Sequence, residues 1–503
     1  MGKKQVVYWI AVVAVALSAA PLAADIADDQ VLVVYNSASP EAVTLKNTYL
    51  SAHPGIPAAN LLDLNDASLL LANITQAAFV TKVRDPIRAY LAAAGDPQPS
   101  DIIVILLLRP FPHRMYDTDA PLVGDSPSNA ANEVYPGGDA TYASVDAELV
   151  LLWQNLNTGE AGGMMDSKSD NMIDNPYHQS TASIDAFSRA WITTAKTFTN
   201  RSNVVWVLGG AGSTRLQPGD MYLVCRIDGT TLADAQAEIQ RAQGIRANRG
   251  AVRVVLDEYD LNIAGDLDDD PLFTTGDPFL AGDDYEETDA LLTAAGWDVR
   301  YDDTFNFISG DEETTPLIAY ASYGENHDLN GAGENPPGTA VYINSFTFAQ
   351  GAIFNTVESY NARAFNGLGT LFGLEQSADF ITAGGTFAVG HVFEPFTFTL
   401  ADNEFLFSNM LIHGRQWAEA AYASIPALSW QHVVVGDPLA RIHLLGDLDF
   451  DRDVDLGDYA LWETCLAGPD VPSAGGCQEG DFDGDDDVDL GDFAQFQTAF
   501  TGG

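Results

Sequence analysis

The sequence predicts an α/β body with a mostly parallel sheet flanked by helices, followed by a small all-α module at the C-terminus. Continuously apolar runs alternate with helical patterns from about residue 25 to residue 445. Strands that are apolar at every position are buried on both faces, which is typical of parallel sheets covered by helices. The last 58 residues differ, because they contain two copies of an acidic loop, each followed by an apolar helical stripe.

The strands of the body are predicted where aliphatic residues are concentrated between turn residues, and the helices where apolar residues recur every three or four positions. The predicted strands are residues 31–35, 102–108, 204–208, 222–227, 252–256, 317–322, 352–357, 386–391 and 433–435. The predicted helices include residues 41–51, 76–93, 145–154, 231–243, 285–295, 404–413 and 417–424.

The N-terminus predicts export from the cytoplasm. Lys3 and Lys4 precede an apolar run over residues 6–17, and small residues follow as far as Ala24. This is the pattern of a signal peptide over residues 1–24, so we expect a secreted or extracytoplasmic protein, in the periplasm or at the cell surface. The alternative is a retained anchor, for which the run is short, so we expect no membrane span after cleavage.

The body is too long for one simple core. Residues 25–445 suffice for two packed α/β units, and a weakly marked break near residue 215 divides them into residues 25–215 and residues 216–445. Residues 446–503 form the third, C-terminal unit.

The charge of the chain excludes two classes of partner. The formal net charge is −48, and removal of the two lysines in residues 1–24 leaves 21 − 71 = −50. So acidic a surface repels the phosphates of nucleic acids and the headgroups of anionic lipids. We therefore expect neither as a partner.

The two acidic loops are written DLDFDRDVDLGD, residues 447–458, and DFDGDDDVDLGD, residues 481–492. Aspartate occupies positions 1, 3, 5, 7, 9 and 12 of each loop, as in calcium loops whose side-chain oxygens and position-7 carbonyl surround one ion. We therefore predict two calcium ions. The predicted ligands are Asp447, Asp449, Asp451, Asp453, Asp455 and Asp458, and Asp481, Asp483, Asp485, Asp487, Asp489 and Asp492.

Each loop is followed by one short helix whose apolar stripe is duplicated in register. The stripes are Leu456, Tyr459, Trp462 and Leu466, and Leu490, Phe493, Phe496 and Phe500. We expect the two stripes to bury each other. The alternative, a disordered acidic tail, is disfavoured because such tails lack apolar stripes at matching positions. No helix enters either loop, so each unit is a loop and one helix.

This duplicated module resembles a type I dockerin, the calcium-binding family that binds cohesins. The resemblance implies a cohesin-like or cell-surface protein partner. Two features depart from the family. Position 6, usually glycine, is Arg452 or Asp486, so the sharp turn there costs more free energy. The recognition positions 10 and 11 are Leu-Gly in both loops rather than a hydroxyl pair.

The cysteines fit an oxidising compartment. Cys465 and Cys477 bracket the linker between the repeats, and we predict a disulfide between them. Cys225 lies in an apolar strand. It is either a nucleophile or a small buried hydrophobe, and the second interpretation is favoured.

The body resembles an uncharacterised family of secreted bacterial proteins with dockerin-like tails. The resemblance rests on the order of short segments, which are residues 143–149, 175–177, 351–353 with 358–359, and 384–386 with 394–395. A more distant similarity is to the gingipain-type cysteine peptidases, which have a caspase-like three-layer fold. The order of His327, Glu358-Ser359, Gly384-Gly385-Thr386 and Gly436-Asp437-Pro438 carries this similarity.

The similarity implies a catalytic cluster but not its mechanism. His327 follows one predicted strand and Glu358 and Ser359 follow the next, so these side chains would share one crevice. No cysteine occupies the nucleophile position, and Ser359 would need His327 aligned as a base. A metal site of His327, Asp328 and Glu358 is also open. His391 and Glu394 are a further pocket candidate, although a hydrogen-bonded structural pair is favoured; the other histidines are interpreted as surface or satisfied residues.

Three functions therefore compete. The first is an exported calcium-binding protein whose body binds or displays a ligand and whose tail attaches it to a partner or surface. The second is a secreted hydrolase of the peptidase type, using a nucleophile other than cysteine. The third is a dockerin-bearing component of polysaccharide degradation, although the body offers no carboxylate pair assignable to glycoside chemistry.

Overall fold

The computed structural model describes most of the body and the tail. The described residues are 25–93, 95–116, 142–154, 173–189, 196–199, 205–207, 214–258, 285–302, 308–310, 312–323, 343–358, 360–365, 377–393, 395, 399–473 and 475–500. The predicted signal peptide, residues 1–24, lies outside these ranges, as do His327, Asp328, Ser359 and Glu394.

A ten-stranded sheet forms the centre of the body. Its strands in chain order are β1 Val31–Tyr35, β2 Leu61–Asp63, β3 Val104–Leu108, β4 Leu223–Ile227, β5 Arg253–Asp257, β6 Val299–Asp302, β7 Leu317–Ser322, β8 Phe348–Thr356, β9 Phe387–His391 and β10 His432–Val435. The spatial order is β6-β5-β7-β8-β9-β10-β4-β3-β1-β2. Strands β3, β4, β7, β9 and β10 are buried along their whole length, because helices flank the sheet.

The sheet consists of two parallel halves that meet in one antiparallel pair. Strands β2, β1, β3, β4 and β10 run in one direction, and β6, β5, β7, β8 and β9 are parallel to each other. Strands β9 and β10 are antiparallel, with Ala388 opposite Val435 and His391 opposite His432. Within each half the first strand lies between the second and the third. In such an arrangement a crevice forms at the carboxyl ends of the first and third strands.

Both predicted units of the body contribute to this sheet. Strands β1 to β3 come from residues 25–215, and β4 to β10 come from residues 216–445. The division near residue 215 stays a prediction, because a shared sheet does not by itself mark where two units join.

Most α-helices of the described residues lie where the sequence predicts them, and the helix Ser377–Thr382 was not predicted. The α-helices are α1 Pro40–Ala52, α2 Gln76–Phe79, α3 Asp85–Leu91, α4 Val145–Val150, α5 Leu232–Arg241, α6 Tyr285–Ala294, α7 Ser377–Thr382, α8 Asn403–Leu411, α9 Trp417–Ser424, α10 Leu456–Trp462 and α11 Leu490–Ala499. The predicted helix over residues 76–93 is confirmed over residues 76–91, and a π-helical turn, Val80–Arg84, joins α2 to α3 within it. Pro86 explains this turn, since proline lacks the amide that would bond four residues back.

The C-terminal module packs against the body. Val454, Phe496 and Ala499 belong to the same apolar core as the main sheet. The Asn248 side chain donates a hydrogen bond to Thr498 Oγ1 over 2.9 Å. A short strand pair, Arg246–Ala247 with His443–Leu444, leads directly into the module. The tail is therefore attached to the body by contacts as well as by the chain.

Candidate functional site

The first acidic loop, residues 447–458, folds so that its carboxylates face one another. Oxygens of Asp447, Asp449 and Asp458 lie within 4.8 Å of each other. Asp453, Asp455 and Asp458 form a second set within the same distance. Because Asp458 belongs to both sets, four other carboxylates of the loop are grouped around it.

The second loop, residues 481–492, repeats this grouping. Asp481, Asp483 and Asp492 form one set, and Asp487, Asp489 and Asp492 form the other. The position-5 aspartates stand outside the sets in both loops. Their Oδ1 atoms accept the backbone N–H of the position-7 residue over 3.2 Å, in Asp451 and in Asp485 alike.

Backbone N–H groups hold the aspartate at position 12. Oδ1 of the buried Asp458 accepts hydrogen bonds from Leu448 N over 2.6 Å and from Asp449 N over 3.2 Å. Its Oδ2 accepts one from Asp455 N over 2.8 Å. Asp492 makes the same three contacts in the second loop, at 2.5, 3.2 and 2.7 Å. Both carboxylates are thus held by the backbone of their own loop.

Some carboxylate oxygens of the loops have no hydrogen-bond partner within the described residues. These buried atoms are Oδ1 of Asp447, Asp453 and Asp487. Burial, with a smaller contribution from the charge of Asp458, raises the pKa of Asp447 to about 6. A buried carboxylate without a partner costs free energy, and a bound cation would remove this cost. The donor set therefore fits a hard divalent cation.

The turn at position 6 has the backbone conformation that glycine usually provides. Arg452 has φ = 79° and Asp486 has φ = 74°. A residue with a side chain is strained in this left-handed region. The predicted cost of replacing glycine here is therefore consistent with the observed turn.

The helices α10 and α11 pack through the inner part of the duplicated stripes. Trp462 and Phe496 are buried, and the Trp462 ring stacks on Phe493 with centroids 5.5 Å apart. The ends of the stripes contradict the expectation of full burial, because Leu456 is 71% exposed and Leu490 73%. Both leucines are the first residues of their helices, where no opposing helix covers them.

These exposed residues adjoin an apolar cleft with a volume of ≈ 380 Å³. Residues of both repeats line it, namely Leu456, Tyr459, Phe493, Phe496, Gln497 and Phe500. Phe500 is itself exposed. The module therefore presents an apolar surface, which is unusual within so acidic a segment.

The cysteines stand as expected. Cys465 and Cys477 form a disulfide with Cα atoms 5.2 Å apart, which closes the linker between the repeats. Beside it, Trp462 Nε1 donates to Gly480 O over 3.1 Å. Cys225 is fully buried in β4, and burial raises the pKa of its thiol well above the usual value. It is thus a small core residue rather than an accessible nucleophile.

Of the three predicted catalytic residues in the body, only Glu358 is among the described residues. Its side chain is fully buried, and its backbone N–H donates to Thr356 Oγ1 over 3.2 Å. Strands β7 and β8 are parallel neighbours, so the residues that follow them leave the sheet at one edge. The other members of the cluster, His327 and Ser359, lie outside the described residues.

A polar row at the same edge was missed by the sequence interpretation. Asp257, Ser322 and Thr356 are register neighbours across β5, β7 and β8. Asp257 is fully buried; its Oδ2 accepts the Ile308 N–H, and its Oδ1 has no partner within the described residues. Burial raises the pKa of Asp257 well above its usual value, and Asp302 adds to the shift. An acid at the end of an apolar strand, Val254-Val255-Leu256-Asp257, was the signal available in the sequence.

A buried ion-pair network also escaped sequence reasoning. Arg226 donates to both oxygens of Asp146, over 2.9 and 2.7 Å, and to Asp228 Oδ2 over 3.0 Å. Because Asp146 and Asp228 both pair with Arg226, the network links α4 to the carboxyl end of β4. Two residues after Asp146 in α4, burial raises the pKa of Glu148 to about 7.

Two histidines at the junction of the two halves differ from expectation. His391 and His432 are buried and face each other across β9 and β10. Neither ring nitrogen of His391, nor Nε2 of His432, has a partner within the described residues. His432 is therefore not a surface residue, and its imidazole is satisfied only in part, through a hydrogen bond with the backbone of Ala427. The predicted pairing of His391 with Glu394 falls outside the described residues. Burial lowers the pKa of each imidazole to about 3.

Comparisons with known proteins give no match for the chain. No family model matches it, and no curated protein or solved structure does so either. Within the described residues, no helix combines the length and the apolar character needed to cross a membrane.

Proposed function

We propose that residues 446–503 form a calcium module of the dockerin type that binds two ions, one in each acidic loop. In this proposal the exported protein uses the module to attach its α/β body to a partner. The observation that carries it is the repeated geometry of the loops. In both, a buried position-12 aspartate is fixed by three backbone N–H groups and shared by two sets of converging carboxylates.

The donor set favours calcium over other common cations. Zinc prefers nitrogen and sulfur ligands, and neither loop contains histidine or cysteine. Magnesium requires a compact octahedron and retains several waters, whereas calcium accepts six to eight oxygens in irregular geometry. Five converging carboxylates and a loop carbonyl suit the larger ion.

Calorimetric titration of the full chain, stripped of metal by a chelator, tests calcium binding. We expect two sites with dissociation constants below about 1 mM. Glu463→Gln is the matched control, because Glu463 is an exposed acid of the module outside both loops. Its titration should equal that of the wild type. Absence of binding heat up to millimolar calcium would contradict the proposal.

The cleft between the helices supports a specific kind of partner. Leu456 and Leu490 present apolar side chains, while the module carries sixteen acids and one arginine, a charge of −15. Two calcium ions would reduce this only to −15 + 4 = −11. The complementary surface is a protein with an apolar centre ringed by lysine and arginine, since opposite charges steer association and apolar contact supplies affinity.

Attachment is tested by following the exported protein in its producing cells. The wild type should stay with the cell surface in calcium and be released by a chelator. The double variant Leu456→Ser, Leu490→Ser should be released in calcium while still binding two ions. Leu461→Ser is the control, because Leu461 is exposed on α10 but does not line the cleft. Retention of the double variant at the wild-type level would refute the docking surface.

The alternative of a secreted hydrolase of the peptidase type rests on one observation. Strands β7 and β8 are adjacent and parallel, so a base after β7 and a nucleophile after β8 would leave the same edge of the sheet. His327→Ala and Ser359→Ala should then each abolish peptide hydrolysis, and Ser51→Ala on α1 should preserve it. Equal turnover by all variants, or by none including the wild type, would exclude this mechanism. A role in polysaccharide degradation has no comparable support in the body.

A further inference from the structure

The side chain of Arg452, at position 6 of the first loop, reaches out of the module and into the body. Its Nη1 donates to Ile442 O over 2.8 Å, and its Nη2 donates to Leu411 O over 2.9 Å. Its Nε donates to Ile412 O over 3.2 Å. A fourth hydrogen bond runs from Nη2 to Met410 O over 3.5 Å, and a guanidinium bonded to four backbone carbonyls is held in one orientation.

These contacts satisfy the C-terminal end of α8. The last carbonyls of a helix have no partner within it, and a cation nearby is favoured by the helix dipole. Ser408 O and Asn409 O accept hydrogen bonds from the chain that follows, at His413 N and Arg415 N. Leu411 O relies on Arg452. The turn leaves room for the guanidinium because residue 414 is glycine. A Cβ atom added at Gly414 would lie only 2.9 Å from Arg452 Nη1.

The backbone of Arg452 adjoins the predicted ion site without supplying one of its carboxylates. Its N–H donates to Oδ2 of Asp447, the position-1 aspartate, over 3.2 Å. Its carbonyl accepts from Arg249 Nη2 over 3.2 Å. Because the residue also has φ = 79°, its side-chain direction depends on the loop keeping this strained conformation.

The second loop lacks this connection. Its position-6 residue is Asp486, whose N–H donates to Asp481 Oδ2 over 3.0 Å. Its carbonyl accepts from Ser473 within the module. Asp486 is exposed. The two loops are thus alike around the ion site and different in what their sixth residue contacts.

The other end of α8 leads to the edge of the sheet near Glu358. Asn355 Nδ2 in β8 donates to Asn403 Oδ1 over 2.8 Å and to Ala401 O over 2.9 Å. Asp402, which precedes the helix, contacts His178 Nε2 over 2.6 Å. Since Asn355 is three residues before Glu358, α8 spans from the first loop to that edge.

We propose that the first loop is a calcium-dependent clamp: with calcium bound, the loop holds Arg452 against the end of α8 and fixes the tail to the body. Without the ion, mutual repulsion among the aspartates displaces the turn at position 6 and withdraws Arg452, while the three backbone hydrogen bonds of Asp458 stay in place. The second loop serves the module alone. This inference rests on the proposed calcium binding and adds its regulatory consequence.

Hydrogen exchange of the full chain, with calcium and with a chelator, tests the clamp. The amides of Ile412, His413 and Arg415 report on the end of α8, because they bond to Ser408 O and Asn409 O. We expect them to exchange ~10-fold faster in the chelator, since the hydrogen bonds of one charged group are lost. Unchanged exchange in a protein shown to bind two calcium ions would overturn the clamp while leaving the proposed function intact.

Matched variants locate the effect in one loop. Asp447→Asn should give fast exchange at the end of α8 even in calcium, whereas Asp481→Asn, its equivalent in the second loop, should keep the calcium response. Arg452→Ala should still bind two ions, but exchange at the end of α8 should no longer depend on calcium. Arg452→Lys keeps the charge but loses the planar guanidinium with its several N–H donors, so it should retain part of the calcium dependence. Asp486→Ala is the position-6 control and should behave as wild type. Equal behaviour of the Asp447 and Asp481 variants would refute the assignment to the first loop.

Discussion

Replacing the position-12 aspartate by asparagine, in each loop separately, tests the proposed sites through their stability. In Asp458→Asn the side-chain oxygen still accepts from Leu448 N and Asp449 N. The new amide nitrogen replaces Oδ2 and faces the N–H of Asp455, so one charge-assisted hydrogen bond is lost. Such a bond contributes about 1.5–3 kcal/mol. This part of the loss does not depend on calcium.

Loss of calcium binding adds a second contribution to the decrease in the opening free energy. Binding at 100 times the dissociation constant stabilises the folded module by about 2.7 kcal/mol per site, and the variant forfeits this at the altered loop. The opening free energy of the module should therefore fall by about 4–6 kcal/mol in calcium and by about 1.5–3 kcal/mol in a chelator. Hydrogen exchange of the amides of α10 and α11 in the full chain measures both values.

The two loops provide an internal check. Asp492→Asn should lose as much as Asp458→Asn, because the distances to its three donors are nearly the same, at 2.5, 3.2 and 2.7 Å against 2.6, 3.2 and 2.8 Å. A calcium-dependent stabilisation of equal size in wild type and both variants would refute the reasoning, because the ion would then bind elsewhere.

Three further predictions concern the module and the core. Asp486→Gly should stabilise the calcium-loaded module by about 1 kcal/mol, because glycine adopts φ = 74° without strain; a lower urea midpoint would disagree. Cys465→Ser, Cys477→Ser should destabilise the module by about 3 kcal/mol, because the disulfide closes a loop with a sequence separation of 12; unchanged exchange of α10 would argue against it. Burial raises the pKa of Glu148 to about 7, so its protonated form is favoured in the fold. The contribution of Glu148 to the free energy of unfolding is complete below about pH 4.5 and is lost as the pH rises through about 7, a change of about 3 kcal/mol. Thermal unfolding at pH 5 and pH 8 measures this change, and Glu148→Gln should remove it.

The strands of the body were predictable because they are apolar along their whole length. Strands β1 and β7 match their predicted ranges, and most of the others differ by one or two residues. The edge strands β2 and β6 were missed, since Leu61–Asp63 and Val299–Asp302 are short and partly exposed. Such a short strand forms because it pairs with an adjacent strand, and the sequence alone does not identify that partner.

The direction of the strands could not be predicted. Periodicity reports which faces are buried, and it is the same for a strand running either way. The antiparallel contact of β9 with β10 therefore had no signal, and neither did the opposition of His391 and His432 that follows from it. The buried histidines illustrate how a pairing between distant segments decides the environment of a side chain.

In the module, residue spacing predicted which carboxylates group together but not the exposure of Leu456 and Leu490. The aspartates converge because their positions within the loop are local. The exposure of Leu456 and Leu490 depends on where helices α10 and α11 begin and cross, which the stripe alone does not fix. The contact of Arg452 with Leu411, 41 residues away, is a tertiary feature of the same kind.

Metal analysis of the full chain, after dialysis against calcium at physiological ionic strength, tests both proposed ion sites at once. We expect two calcium ions per chain in the wild type, one in each of Asp458→Asn and Asp492→Asn, and none when both aspartates are replaced. A wild-type chain that retains no calcium, or a double variant that retains both ions, would contradict the proposed ion sites.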